Sequence, residues 1–292
     1  MDDAVLPAAF RWSPRWPVCD GLSLAAPIVQ APLGDYDGAR LAGAVSRAGG
    51  LGCVSLRGRD AAQSARLLRR VRARTTRPVL CAFTAQWEPE SVLDACLDAG
   101  ARFFQVFWWN GPRLAPRVRR AGGTVFWQVA TPEQAREAAE GGADVLVVQG
   151  NEAGGQVRGP LRLADVIAQV KATTDLPFVV GGGLADRGDV ARVLALGARA
   201  AMLGTRFVAS RESRAPAAYK ARLVRAQPSD LFLDTRLDQG EWPCAPCRRI
   251  RAARNENGPA FYAGLGVGKI GAVLPAARIV RALTPHCGGP AA

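Results

Sequence analysis

The stretch FVVGGGLADRGDVARVLALGARAAMLGT, residues 178–205, holds two short apolar runs separated by a longer amphipathic one. The first run, 178–181, leads into Gly181-Gly182-Gly183. Val190, Val193 and Leu194 then recur at helical spacing, and a second run at 200–203 ends in Leu203-Gly204-Thr205. Apolar runs of strand length joined by a helix of this period form a βαβ unit, the building block of a parallel sheet.

The same unit repeats toward the N-terminus. Strands are expected at 27–31, 51–55, 79–83, 103–108, 124–129 and 145–149, which makes eight with the two above. Helices between them are marked by Leu41, Ala44, Val45 and Ala48, by Ala65, Leu67, Leu68 and Val71, and by Val92, Leu93, Cys96 and Leu97. Leu114 and Val118 mark a short fourth. Thr131-Pro132-Glu133 opens the fifth, with proline where the first turn needs no N–H, and Ile167 and Val170 mark the sixth. Ala48-Gly49, Ala99-Gly100 and Ala121-Gly122 fit glycine C-caps. Eight βα units predict an α/β fold, a (β/α)8 TIM barrel. An open doubly wound sheet is the alternative, but it calls for a glycine-rich dinucleotide fingerprint near the first strand, and Ala31-Pro32-Leu33-Gly34 is not one. After residue 205 the repeat breaks into a segment rich in Arg, Pro and polar residues, and regular helix resumes at 272–283 with Pro275 near its start. The barrel is therefore assigned to 1–205 and 263–292, and 206–262 to an inserted lid over its mouth.

Composition narrows the function. A length of 292 residues suits one barrel, and 49% hydrophobic residues supply its core. The formal charge of +13 comes from arginines spread over nearly every helix, with Lys171, Lys220 and Lys269 the only lysines. No nucleic-acid motif accompanies the charge, so an anionic small molecule is the better partner. Seven scattered cysteines point to a reducing compartment. Cys244 and Cys247 have C-x-x-C spacing, but no second pair or suitably spaced histidine completes a metal site. Met1-Asp2-Asp3 starts no signal peptide, and no apolar run reaches the roughly 20 residues of a membrane helix. A soluble cytoplasmic protein is expected, with no nucleic-acid or membrane partner.

In this fold the site lies at the C-terminal ends of the strands, and phosphate commonly binds after strands seven and eight. Gly182, Gly183, Gly204 and Thr205 stand at both places. Glycine lets backbone N–H groups approach an anion, and a threonine hydroxyl adds a donor. Strand six ends in QGNEAGGQVRG, 149–159, an eleven-residue turn with four glycines. That turn reads equally as a surface for a flat ligand or as a mobile glycine loop.

These segments together resemble the nitronate monooxygenase family, formerly called 2-nitropropane dioxygenases, and its relatives the flavin-dependent enoyl-acyl-carrier-protein reductases. The matching stretches are PIVQAPL at 27–33, LAGAVSRAGGLG at 41–52, VQGNEAGGQVRG at 148–159, GGLAD at 182–186, LGTRF at 203–207, WPCAP at 242–246 and AGLGVGKIGAVLPA at 263–276. They cover nearly the whole chain. The resemblance implies non-covalent FMN, with the backbone of Ala31, Pro32 and Leu33 facing the flavin ring, Gln149 and Gly154 contacting the cofactor, and Gly182, Gly183, Gly204 and Thr205 holding its phosphate. It also implies that Cys244 and Cys247 bind no metal.

Two departures stand out. Ala82 falls where the family usually has asparagine, so one cofactor hydrogen bond is missing or supplied from elsewhere. Gln156 replaces the family histidine after EAGG, and the chain's single histidine is His286. In the family that histidine removes the α-proton of a neutral nitroalkane. A glutamine amide accepts no proton at pH 7, but its NH2 can orient an oxyanion or a carbonyl, which is the catalytic role assigned to Gln156. Asp35, Glu152 and Asp186 are candidate replacement bases. Asp35 fits a cap of the first helix better, and Glu152 fits a brace for its own loop. Trp108 and Trp109 either line a substrate pocket or simply pack. The resemblance leaves three functions: an FMN-dependent oxidoreductase of a nitronate or a related nitrogen-containing small molecule, an NAD(P)H-dependent reductase of enoyl thioesters, and a non-catalytic FMN-binding protein. Molecular oxygen or NAD(P)H as co-reactant and a homodimer as the assembly stay open.

Overall fold

The computed structural model describes residues 16–84, 88–107, 110–235, 246–251 and 261–285. Trp108, Trp109, Cys244 and His286 lie outside the described residues.

A short hairpin, β1 (Trp16–Cys19) with β2 (Leu22–Leu24), precedes the barrel. The barrel strands are β3 (Ile28–Gln30), β4 (Gly52–Ser55), β5 (Val79–Ala82), β6 (Phe103–Val106), β7 (Thr124–Val129), β8 (Val145–Gln149), β10 (Phe178–Gly181) and β11 (Ala200–Leu203), with β9 (Gly155–Gln156) in the loop after β8. All barrel pairings are parallel, in the order β3-β11-β10-β8-β7-β6-β5-β4. A parallel bridge between Val29 and Leu51 closes the ring. At this seam the ladder is thin, and a side chain completes it. The wholly buried Gln30 donates from Nε2 to the Cys53 carbonyl at 2.8 Å and accepts the Cys53 N–H at 3.3 Å.

The strands are mostly apolar because both faces are buried, with Gln30, Ser55, Gln105 and Gln128 as buried polar exceptions. Val29, Leu51, Leu80, Phe126, Val147, Val179 and Met202 fill the interior, and Val18, Leu22 and Leu24 of the hairpin belong to the same cluster. Their outward neighbours, among them Ile28, Val54, Cys81, Phe104, Leu146 and Val180, pack under the helices. Those helices are α1 (Ala39–Arg47), α2 (Ala61–Arg72), α3 (Glu90–Asp98), α4 (Gly111–Arg120), α5 (Pro132–Glu140), α6 (Leu163–Lys171), α7 (Arg187–Ala195) and the closing α10 (Ala276–Leu283). Thr131 caps α5 by accepting the Gln134 N–H at 3.3 Å, and Gly49, Gly100 and Gly122 end helices at positive φ. The fourth helix is ten residues long and keeps Pro116 inside it. The closing helix starts at Ala276 rather than 272, because Leu274 is held in a bridge to Ser210 and Pro275 stands at the N-cap.

Between β11 and α10 the chain forms α8 (Thr205–Val208), α9 (Ala217–Arg225), β12 (Leu231–Asp234) and β13 (Cys247–Ile250). β12 and β13 pair antiparallel, and β13 also pairs with β9, setting Cys247 opposite Gln156. A third apolar cluster beneath them includes Val208, Tyr219, Leu223, Ile250 and Val267. Among the described residues, no helix is long and apolar enough to cross a membrane.

Candidate functional site

A cavity of about 410 Å³ opens at the C-terminal ends of the barrel strands. Ala31, Pro32 and Leu33 line it from the loop after β3. Gln149, Gly154 and Gln156 line it from β8 and its loop, Gly182 and Gly183 from the turn after β10, and Gly204 and Thr205 from the end of β11. All ten residues selected from the sequence thus meet in one place. The chain between β11 and α10 contributes Tyr219, Cys247, Tyr262, Gly264 and Gly266.

Backbone packing explains most of the glycines. Gly182 and Gly183 have φ of +132° and +68°, values that side chains strain against. A Cβ on Gly183 would stand 2.8 Å from Cβ of Glu152. One on Gly154 would stand 2.4 Å from the carbonyl carbon of Ala263 and the nitrogen of Gly264, and one on Gly266 would stand 2.2 Å from the Gly183 carbonyl oxygen. Three glycine segments far apart in sequence therefore interlock, backbone on backbone. Among the described residues, the Gly182 and Gly183 N–H groups donate to no protein acceptor. Thr205 Oγ1 accepts the Gly264 N–H at 3.0 Å, which leaves its own proton to donate.

The two glutamines divide their work. Gln149 donates from Nε2 to the Gln156 carbonyl at 2.9 Å and accepts the Arg158 N–H at 3.1 Å, so its amide is spent on holding the loop. Gln156 lines the cavity, and its Nε2 is buried with no hydrogen-bond partner among the described residues. A buried NH2 without an acceptor costs on the order of 1–3 kcal/mol, which a ligand oxygen would recover.

The carboxylates separate by geometry. Asp35 lies on the cavity wall and does not cap α1. Asp35 sits inside the 3-10 turn Gly34–Tyr36, and the N-cap of the helix is Gly38, which has no side chain to cap with. Glu152 accepts the Leu163 N–H at 2.9 Å and braces its loop, as expected. Asp186 is not a base candidate. It caps α7 by accepting the Asp189 N–H at 2.7 Å and pairs with Lys269 at 2.9 Å, away from the cavity lining.

Ala82 is wholly buried in the barrel interior and brings no polar group to the mouth. Polar groups the sequence reading missed stand nearby. Thr84 and Gln128 line the cavity, and Gln128 Oε1 accepts from Gln105 Nε2 at 3.0 Å, leaving the Gln128 NH2 as a donor on the wall. A polar residue within the apolar run 124–129 was the available signal. Arg57, Tyr36 and Tyr262 also line the cavity, and nothing in their spacing marks them. Burial, with the Cys247 thiol adding to it, pushes the Tyr262 phenol up, against the opposing pull of Arg249 and Arg57. Beneath the wall lies Asp37, fully buried and also missed.

The nitronate monooxygenase model matches residues 107–242. A nitronate monooxygenase of Pseudomonas aeruginosa is 30% identical over 253 residues, which span 69% of this chain and 71% of that protein. The chain belongs to the nitronate monooxygenase family. The chain is also similar to an octahydro-indene carboxyl-CoA dehydrogenase of Mycobacterium tuberculosis, 29% identical over 228 residues. That match covers 77% of this chain but only 64% of the relative's length. A solved nitroalkane oxidase from Streptomyces ansochromogenes superposes with a TM-score of 0.79 at 28% identity, covering 89% of this chain and 95% of that one. The barrel is thus the family's barrel, and Gln156 is this member's residue on the cavity wall.

Proposed function

We propose that the chain is an FMN-dependent oxidoreductase whose substrate arrives already ionised, a nitronate or a related nitrogen-containing anion. The observation that carries this reading is the unpartnered Nε2 of Gln156 on the cavity wall, a hydrogen-bond donor where the family resemblance expects a base. The cavity of about 410 Å³ lies within the range of cofactor sites. Its residues fit FMN: the free N–H groups of Gly182 and Gly183 with the Thr205 hydroxyl and Gly204 would hold the phosphate, and the backbone of Ala31, Pro32 and Leu33 would face the ring. Gly154 brings the closing segment against that cradle, and Gln149 holds the loop that carries Gln156. When bound, FMN supplies the electron acceptor.

Gln156 would donate a hydrogen bond to a nitronate oxygen, fixing the carbon over the ring without taking a proton. Arg57, on the same wall, adds positive charge suited to an anion. On this reading residues 206–262 are the lid, supported by the presence of Tyr219, Cys247 and Tyr262 in the cavity lining. A reducing, cytoplasmic setting is supported by the free cysteines Cys53, Cys81 and Cys96 in the core.

The test is anaerobic mixing of FMN-loaded protein with a nitronate, then with its neutral nitroalkane, following the flavin absorbance. Bleaching by the nitronate alone is expected. Equal bleaching by the neutral form would sink the proposal. A second reading, reduction of an enoyl thioester by NAD(P)H, is favoured by the CoA thioester in the name of the Mycobacterium tuberculosis relative. Bleaching by NADPH and not by nitronate selects it, and bleaching by neither selects a non-catalytic FMN-binding protein.

A further inference from the structure

Asp37 is 0% exposed and does not itself line the cavity. Its Oδ2 accepts the Leu33 N–H at 2.9 Å. Oδ1 and Oδ2 accept the Ser55 N–H at 3.0 and 3.1 Å. Leu33 ends the cavity wall 31–33, and Ser55 ends β4. Ser55 Oγ in turn lies 3.1 Å from Oγ1 of Thr84, another cavity-lining residue. One carboxylate therefore ties the irregular loop after β3 to the tip of β4, and through Ser55 to the chain after β5. No helix or strand does this for Leu33, because the segment between β3 and α1 holds only the 3-10 turn Gly34–Tyr36.

We propose that Asp37 is the positioning residue of the ring-facing wall: its ionised carboxylate clamps the Leu33 loop to β4, and its protonation loosens that wall. The role rests on the FMN reading above only in naming what the wall faces. The charged and titratable groups around it come from three elements. Arg59 stands on the loop before α2, Arg214 on the segment after α8, and the Cys53 thiol on β4. Arg214 also donates its N–H to the Tyr36 carbonyl at 2.8 Å, on the same loop. Backbone donors and both guanidiniums pull the carboxyl down, burial pushes it up further, and it comes to rest at about 7. An ionised carboxylate accepts all three contacts with charge assistance, whereas in the neutral acid one oxygen becomes O–H and its acceptance fades. When the loop parts from β4 with Asp37 still buried, the carboxyl loses its two N–H donors and its affinity for a proton rises. Protonation therefore favours this local opening, and the wall is held more tightly above neutrality than below it, even though ionising the buried carboxyl lowers the stability of the fold as a whole.

The test compares the full-length wild type with Asp37→Asn. Amide hydrogen exchange at Leu33 and Ser55 is measured on FMN-free protein from about pH 6 to pH 8, corrected for intrinsic rates, and FMN affinity is measured over the same range by quenching of flavin fluorescence. In wild type, protection at both amides and FMN affinity are expected to rise by about tenfold across the range, and Asp37→Asn should show neither trend. Flat protection in the wild type overturns the proposal, and this series needs no variant to fold. An Asn variant that lowers the thermal midpoint but keeps the wild-type pH course of FMN affinity overturns it as well. pH-dependent protection in a protein that binds no FMN upholds the clamp and discards the FMN reading instead.

Discussion

Placing an imidazole at position 156 is the most direct trial of the proposed chemistry. Gln156 Nε2 has no partner among the described residues, so Gln156→His breaks no side-chain hydrogen bond made through that nitrogen. The loop should keep its shape, because Gln149 grips the Gln156 carbonyl at 2.9 Å and the β9–β13 pairing is made by backbone. The new ring would stand partly buried on the cavity wall, where burial favours neutral imidazole and so leaves a base available at pH 7. A positioned general base contributes roughly 10²–10⁴-fold. Turnover of a neutral nitroalkane should therefore rise by that factor, or about 3–5 kcal/mol off the barrier, while nitronate turnover changes by about threefold or less. The gain should vanish as pH falls below the imidazole pKa and the ring protonates. Steady-state kcat/KM for both substrate forms, measured from about pH 5.5 to 8 on variant protein with wild-type FMN affinity, provides the readout. A variant that binds FMN normally yet leaves neutral nitroalkane turnover unmoved would refute the idea that position 156 decides whether substrate must arrive ionised.

Other outcomes follow from the same geometry. Gly183→Ala places a Cβ at φ +68° and 2.8 Å from Cβ of Glu152, costing on the order of 1–2 kcal/mol of backbone strain, and should weaken FMN binding about tenfold in a fluorescence titration. Tyr219→Phe deletes a hydroxyl that accepts the Tyr262 N–H at 2.9 Å and donates to the Tyr262 carbonyl, so urea unfolding should lose about 2–4 kcal/mol. Asp37 gives a pH dependence of stability with a definite sign. The fold raises its pKa from 3.8 to about 7, so its contribution is full below the unfolded value and is lost as pH rises through 7. Urea midpoints between about pH 5 and 8 should show wild type losing roughly 3 kcal/mol relative to Asp37→Asn, and a constant difference would contradict the burial argument.

The barrel was legible because its strands carry a dominantly apolar signal and its helices a 3.6-residue one. The expected strands at 124–129, 145–149, 178–181 and 200–203 match β7, β8, β10 and β11 residue for residue. The cavity-lining glycines were legible for a related reason: backbone that must pass backbone leaves glycine in the sequence. What escaped was long-range and polar. Asp35 read as the helix cap because it precedes α1, but it lies within the 3-10 turn Gly34–Tyr36 and the N-cap falls on Gly38. Asp37 is wholly buried, and sequence alone gives no sign of it, because its partners Leu33 and Ser55 offer only backbone N–H groups. Tyr262 reaches the cavity through an antiparallel bridge to Arg249, a pairing that no periodicity records.

A glutamine at position 156 becomes intelligible once the cradle and that position are seen to be mechanically separate. The cradle is backbone. Gly154 rests on Ala263 and Gly264, Gly183 on Glu152, and Gly266 on Gly183, so none of the three contacts passes through the side chain of residue 156. The loop that carries residue 156 is held by its carbonyl and by the β9–β13 ladder, again without its side chain. A substitution at 156 can therefore change what is done to the substrate proton without loosening the cavity around it. The reverse does not hold: a side chain added at 154, 183 or 266 would push whole segments apart, because the nearest atoms are backbone or the Cβ of a braced residue. Side-chain changes at 156, or on the wall formed by Cys247 and Tyr262, can therefore reshape the cavity while the glycine segments stay fixed by packing.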